Sequence, residues 1–264
     1  MSETPQADRP RLVGVGVGPG DPELLTLAGV RELRTAGRVF VPVLAPDESG
    51  RAEAVVRAHL GDADTVERLV FALSDPVTGP QQRRRRHWDS AAERVAAHLT
   101  EEGGSAAFAT IGDPSVYSTF GYLAATVRDL VPNVTIATVP GITAMQAAAS
   151  AAGITLVEGS EPLTVLPVTR NVTAMREALG RHGTVVAYKG GRRLRELREA
   201  IEQAGALERA VYAEHLGTTD ERVLPLSEVD LEDTVDASGR VVGGAPYLST
   251  VVVLPSRGAR GEQL

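Results

Sequence analysis

Short apolar runs alternate with segments of helical period along most of this chain. That alternation predicts an α/β protein. Leu12–Val17 reads as a buried strand. Pro22–Ala36 reads as a helix, with Asp21 as N-cap and Pro22 at its first position. Val39–Val43 is a second strand, Arg51–Leu60 a helix and Thr65–Leu69 a short extended piece. Gln81–Glu102 reads as one long helix ended by Gly103-Gly104. Ser105–Ile111 is a strand, Tyr117–Leu130 a helix and Val134–Val139 a strand.

From Thr143 the texture changes. Ala144–Ala152 is an Ala-rich helix. Leu163–Pro167, Thr184–Lys189, Ala210–Glu214 and Tyr247–Leu254 read as strands, and Val172–Arg181 and Leu194–Ala204 as helices. The expected organisation is an N-terminal α/β domain over 11–141, a C-terminal α/β domain over 142–255 and a frayed tail over 256–264. Asp236–Ala245 reads as a loop. No internal repeat is visible.

Three strands run into turns of one kind: Pro19-Gly20-Asp21-Pro22, Gly112-Asp113-Pro114 and Pro140-Gly141-Ile142-Thr143. In a parallel sheet all three lie at the carboxyl ends, where α/β proteins bind ligands. Any one of them alone is also what a tight turn after a buried strand looks like. The first turn is not a dinucleotide loop. From Gly14 the sixth position is Pro19 and from Gly16 it is Asp21, and the second strand ends Phe40-Val41-Pro42 with no ribose-binding acid. No Gly-Lys-Ser/Thr triplet occurs either, which disfavours ATP chemistry. Acidic side chains beside these turns suit a cationic or hydroxyl-rich ligand better than a phosphate.

Composition narrows the field. The chain has 264 residues, 43% hydrophobic and 23% charged, enough to bury a substantial core. Aromatics make up 4% and net charge is -7, so a nucleic-acid partner is not expected. There is no cysteine, which removes disulfides, thiolate nucleophiles and Cys-based metal sites. The five histidines are scattered, and no metal is expected. The polar start MSETPQADRP does not read as a signal peptide, and no apolar run approaches the ~20 residues of a membrane span, so the expectation is a soluble cytoplasmic protein without a membrane partner.

With these residues in view the chain resembles the tetrapyrrole (corrin/porphyrin) methylase family. GVGPGDPELLTL (16–27), TIGDPSVYSTFGYL (110–123) and VPGITAMQAAASAAG (139–153) are similar to its three signatures, in order. VEGSEPLTVLP (157–167), VVAYKGGRR (185–193), AEHLGTTDER (213–222) and APYLSTVVV (245–253) resemble the members that methylate carbon 20 of precorrin-2. The resemblance implies two α/β domains with a cofactor cleft between them, rather than a Rossmann-type methyltransferase. It implies S-adenosyl-L-methionine as cofactor, S-adenosyl-L-homocysteine as product, a tetrapyrrole substrate in cobalamin synthesis, and a homodimer. A cobalt-containing substrate, or a non-catalytic ligand-binding relative, would carry the same motifs.

The resemblance also implies contacts. Pro19 would lie under the cofactor. Ile111, Gly112 and Asp113 would line its methionine part, with Val116 just beyond, and Thr143 and Ala144 would touch it through small side chains and backbone. Leu216 and Gly217 would line the adenine pocket, and Ser249 and Thr250 on the last strand are further candidates. Lys189 stands where relatives often carry Met, so a backbone contact is implied and its side-chain role is left open. Other readings stay open: Asp113 and Thr143 as helix caps, Lys189 as a solvated charge. The substrate's carboxylates need cationic partners. Arg83–Arg86 is the obvious basic run, but a helix turns about 100° per residue, so the four cannot all face one ligand. Arg192 and Arg193 lie nearer the expected cleft. No residue offers itself as catalytic base.

Overall fold

The computed structural model describes residues 9–71, 81–102, 104–231, 234–235, 241–242, 245–246 and 248–257. The side chains of 81–86 and most of the expected 236–245 loop lie outside the described residues, as does the tail from 258. The chain divides into two compact units, Met1–Thr143 and Ala144–Leu264.

The first unit holds β1 (Arg11–Gly16), α1 (Leu27–Thr35), β2 (Arg38–Val43), α2 (Arg51–Leu60), β3 (Val66–Val70), α3 (Gln81–Ala97), β4 (Ser105–Thr110), α4 (Phe120–Leu130) and β5 (Thr135–Val139). Its sheet runs β3-β2-β4-β1-β5, and every pairing is parallel. The two-residue period of a strand divides the core between the sheet's faces. Leu12, Phe40 and Phe108 point into one cluster with α3 and α4, while Val13, Val15, Val39 and Val41 point into another with α1 and α2. Glu53 is fully buried on α2, where its carboxylate accepts from Arg57 and Arg68 at 2.7 Å each.

Three helix boundaries differ from expectation, each for a local reason. Asp21 caps only a 3-10 turn over Pro22–Leu24. The chain then extends through Leu25 and Thr26, and Thr26 Oγ1 accepts the Gly29 N–H at 3.0 Å to start α1 at Leu27. The α3 segment leaves α geometry at Ala97 and closes as a π turn over His98–Glu102. α4 starts at Phe120, not Tyr117, because Tyr117 adopts φ 51°, which no right-handed helix accepts.

The second unit holds α5 (Ala144–Ala152), β6 (Leu163–Pro167), α6 (Thr173–Leu179), β7 (Thr184–Tyr188), α7 (Leu194–Gln203), β8 (Ala210–Glu214), β9 (Arg222–Pro225), the short antiparallel pair β10 (Thr234–Val235) and β11 (Val241–Val242), and β12 (Thr250–Val253). Its sheet, β6-β7-β12-β8-β9, is mixed: β6 and β7 are parallel and the other pairings antiparallel. The last strand therefore enters the middle of the sheet, which is why Val251–Val253 read as an unbroken apolar run. β9 was not foreseen; it is a four-residue edge strand with little buried surface. Arg257, inside the segment expected to fray, is tied down. Its guanidinium donates to Glu161 at 2.9 and 2.7 Å and to the Thr155 carbonyl at 3.0 Å.

Candidate functional site

The carboxyl ends of β1, β4 and β5 are adjacent in the first sheet, so the three turns that follow them meet. They lock together through backbone. Val17 donates to the Thr110 carbonyl at 2.9 Å, and the Gly112 N–H donates to the Gly18 carbonyl at 2.8 Å in an isolated antiparallel bridge. A Cβ on Gly16 would stand 2.6 Å from the Gly112 oxygen and 2.6 Å from the Gly141 nitrogen. A Cβ on Gly141 would meet the Gly112 oxygen at 2.1 Å. These glycines are needed because three backbones touch.

The glycines of the first motif therefore do different jobs. Gly14 makes room for the Phe120 ring, which a Cβ would strike at 2.6 Å. Gly16 makes room for the third turn. Gly18, at φ 77°, supplies the left-handed bend that turns the chain. Pro19 is buried behind that bend.

Asp113 binds the second turn to the third. Its Oδ2 accepts the Gly141 N–H at 2.9 Å. Its Oδ1 accepts the Ser115 N–H at 2.8 Å and also the Ser115 hydroxyl. The side chain is 8% exposed. Burial alone would raise its pKa, but the Ser115 hydroxyl and the Gly141 and Ser115 N–H groups outweigh burial and hold the carboxyl below the usual range. The carboxylate that the chain pattern offered to a cationic ligand is thus engaged by the protein itself. Ile111 and Val116 flank it half-buried, and the Val116 N–H donates to the Asp113 carbonyl at 3.2 Å. Gly112 is different from its neighbours: at φ 71°, a Cβ there would meet nothing within 4 Å. The Cβ position at Gly112 is open where those of Gly14, Gly16 and Gly141 are closed. Thr143 is buried and stands directly before α5, with Ala144 as its first residue.

In the second unit, the remaining candidates lie on β7, β8, β12 and the turns that follow. Tyr188 ends β7, and its hydroxyl accepts the Met145 N–H at 2.9 Å. Lys189 follows at φ 61°, a left-handed conformation for a residue with a side chain. Gly191 packs on the 245–246 backbone, where a Cβ would lie 2.1 Å from the Pro246 oxygen. Of the two expected substrate cations, Arg193 is half-buried and engaged by Glu196 at 2.6 Å, and Arg192 is exposed. Leu216 is buried, and Gly217 bends at φ 73° with its N–H donating to Glu221 at 2.7 Å. Thr250 pairs with Tyr188 and Ala213 in the middle of the sheet and is 1% exposed, and Ser249 beside it is buried as well.

Some residues that build these turns were not singled out from sequence. Ser115 became visible only as a partner of Asp113, and Gly141, already part of the third turn, only then as the donor to it. Tyr212, Glu214 and Arg222 form a chain on β8 and β9 that runs from the core to the surface: buried Tyr212 donates to buried Glu214 at 2.6 Å, and exposed Arg222 donates to its other oxygen at 2.6 Å. An acid on an otherwise apolar strand was the available signal for Glu214.

Three comparisons bear on what such a site does. The family model described as Tetrapyrrole (Corrin/Porphyrin) Methylases matches residues 11–231. A Sinorhizobium sp protein named Precorrin-2 C(20)-methyltransferase is 34% identical over 251 residues, 92% of this chain and 94% of that protein. The Mycobacterium tuberculosis (strain ATCC 25618 / H37Rv) protein named Cobalamin biosynthesis protein CobIJ is 34% identical over 226 residues, 84% of this chain; the matched part is 44% of that longer protein. Among solved structures, uroporphyrin-III C-methyltransferase from Thermus thermophilus, complexed with S-adenosylhomocysteine, shares the fold at a TM-score of 0.59 and 22% identity, covering 92% of this chain and 96% of that one.

Proposed function

The chain belongs to the tetrapyrrole (corrin/porphyrin) methylase family, and on that premise we propose that it transfers the methyl group of S-adenosyl-L-methionine to carbon 20 of precorrin-2, giving precorrin-3A in cobalamin synthesis. The observation that carries this reading is the meeting of three signature turns at one sheet edge, with Gly112 open among them. An α-amino acid moiety needs close approach to backbone, and a glycine at φ 71° with free space at its Cβ position leaves room for that approach. Pro19, Ile111, Gly112, Asp113, Val116, Thr143 and Ala144 are the proposed contacts at these turns. Lys189, Leu216, Gly217, Ser249 and Thr250 are the proposed contacts from the second unit, with Ser249 and Thr250 acting through backbone because their side chains are buried.

When bound, the cofactor supplies a methyl group already activated on a sulfonium. The chain's own part is positioning. Asp113 keeps the second and third turns at a fixed spacing, and its carboxylate fixes the Gly141 and Ser115 N–H groups. The locked glycines keep the edge rigid. A bridge carbon conjugated to pyrrole nitrogens is nucleophilic without a protein base; as it takes the methyl group S-adenosyl-L-homocysteine leaves, and the carbon-20 proton is then lost to a ring nitrogen or water. We also take the protein to act in the cytoplasm, and as a homodimer, which the family resemblance implies; light scattering on the purified chain tests the dimer.

The test of function is incubation with S-adenosyl-L-methionine and either precorrin-2 or its cobalt-loaded form, read as the mass gain of one methyl group. Gain on the metal-free substrate is expected. Gain on the cobalt form alone moves the protein to the cobalt-dependent route. Binding of S-adenosyl-L-homocysteine with no turnover on either would make it a ligand-binding relative.

A further inference from the structure

The chain is poor in aromatics, with five Tyr, four Phe and one Trp. All four Phe are buried in the first unit's core. Among the described residues the aromatic side chains that remain exposed are Tyr117 (42%) and Tyr122 (62%). Both belong to the segment that leaves the carboxyl end of β4. Tyr122 lies on the first turn of α4 and stacks on Trp88 of α3, ring centroids 5.1 Å apart and planes 17° from parallel.

Topology places this stack at the functional edge. α3 connects β3 to β4, which are parallel members of one sheet, so it starts at the carboxyl edge and runs back to the amino edge. α4 leaves β4 at the carboxyl edge. The N-terminal parts of both helices therefore rise from the edge that carries the three locked turns. Tyr117 sits between Asp113 and α4 in a left-handed conformation, a strained backbone of the kind that concentrates at ligand sites. Strain and exposed aromatic surface occur together four to nine residues from the Asp113 anchor.

We propose that Tyr122, backed by Trp88, and Tyr117 form the platform on which the flat face of the macrocyclic substrate stacks. The proposal rests on the reading of this chain as a tetrapyrrole methyltransferase. A conjugated, planar ligand is the occupant that this geometry favours: an outward aromatic ring held parallel on a second ring presents a flat, polarizable face, and offset stacking rewards it. Arg83–Arg86 open the same helix as Trp88, with side chains outside the described residues.

Trp88 is the sole tryptophan of the chain, so its fluorescence reports on this platform. The experiment titrates the full chain with uroporphyrin, a stable octacarboxylate macrocycle, and follows quenching of Trp88. It then repeats the titration with Tyr122→Ala, Tyr122→Phe and Leu130→Ala. Leu130 is another exposed apolar residue of α4 (48%), at the opposite sheet edge. We expect Tyr122→Ala to weaken macrocycle binding about tenfold, Tyr122→Phe to restore it and Leu130→Ala to leave it unchanged. In turnover the same Tyr122→Ala raises KM for the tetrapyrrole with kcat retained, while calorimetric affinity for S-adenosyl-L-homocysteine stays at the wild-type value. Wild-type macrocycle affinity in folded Tyr122→Ala overturns the proposal, as does an equal loss in Leu130→Ala. Saturable quenching that depends on Tyr122, without methyl transfer, would overturn the activity and leave the platform standing.

Discussion

Asp113 Oδ2 accepts the Gly141 N–H at 2.9 Å, a bond that joins turns 28 residues apart in the chain. It makes the second signature turn a structural partner of the third. Replacing Asp113 by Asn keeps the shape but turns one acceptor into a donor, leaving an N–H facing an N–H. We expect a loss of about 1–3 kcal/mol in urea denaturation, the cost of an unsatisfied buried polar group. Affinity for S-adenosyl-L-homocysteine by calorimetry should fall with it, because the spacing of two turns is lost. A stable Asp113→Asn with wild-type affinity would refute the tie.

The same bond has a pH signature. The folded Asp113 carboxyl is depressed, so its contribution is complete above the ordinary Asp value of about 3.9 and is lost as pH falls through the folded value. Denaturation midpoints from pH 6 down to pH 2 should converge between wild type and Asp113→Asn. A constant gap across that range would mean that ionisation of Asp113 contributes nothing.

Glycine substitutions should separate crowding from strain. Gly112→Ala meets open space and carries only the left-handed penalty, roughly 1–2 kcal/mol. Gly141→Ala drives a Cβ into the Gly112 oxygen and must displace backbone, so it should destabilise by more than Gly112→Ala. Cofactor binding should show the reverse order of sensitivity per unit of stability lost, because a methyl on Gly112 enters the proposed cradle. Paired thermal denaturation and calorimetry measure both.

In the second unit, Tyr212→Phe should cost about 1–3 kcal/mol by leaving Glu214 Oε2 without its donor. Burial, and then the Glu214 carboxylate, push the Tyr212 phenol well above its ordinary value of about 10. Its contribution is therefore full below pH 10 and declines above it, as the unfolded chain ionises first. Wild-type stability should fall between pH 10 and pH 11 more steeply than that of Tyr212→Phe, by urea midpoint at each pH.

Arg257 provides a test of the chain's end. Arg257→Ala strands the buried Glu161 carboxylate, which the guanidinium holds below its usual pKa range. The melting temperature should drop further for Arg257→Ala than for Glu158→Ala, because Glu158 is exposed and lies at 3.5 Å from the guanidinium. Equal drops would show that the Glu161 pair adds nothing.

Most elements were legible in the sequence because their causes are local. The unbroken run of apolar residues and glycine at Leu12–Val17 marks a strand buried on both faces, and Ala144–Ala152 reads as a helix without reference to anything distant. The three Pro/Gly/Asp turns were legible as well, and so was their place at the carboxyl ends of a parallel sheet. Boundaries went astray where a single residue chose its backbone angles: Thr26 as a cap in place of Asp21, Tyr117 at φ 51° in place of a helical start.

What each motif residue does was decided by tertiary structure. Gly14, Gly16 and Gly18 are equivalent letters in the chain, yet one faces a phenyl ring, one a neighbouring backbone and one a left-handed bend. Asp113 is an acid beside a ligand turn in the sequence, and in the fold it is an acceptor engaged by Ser115 and Gly141. The physical reason is range. Propensity and period act over a few residues, whereas close backbone approach and hydrogen-bond saturation depend on groups that only the folded sheet brings within 3 Å.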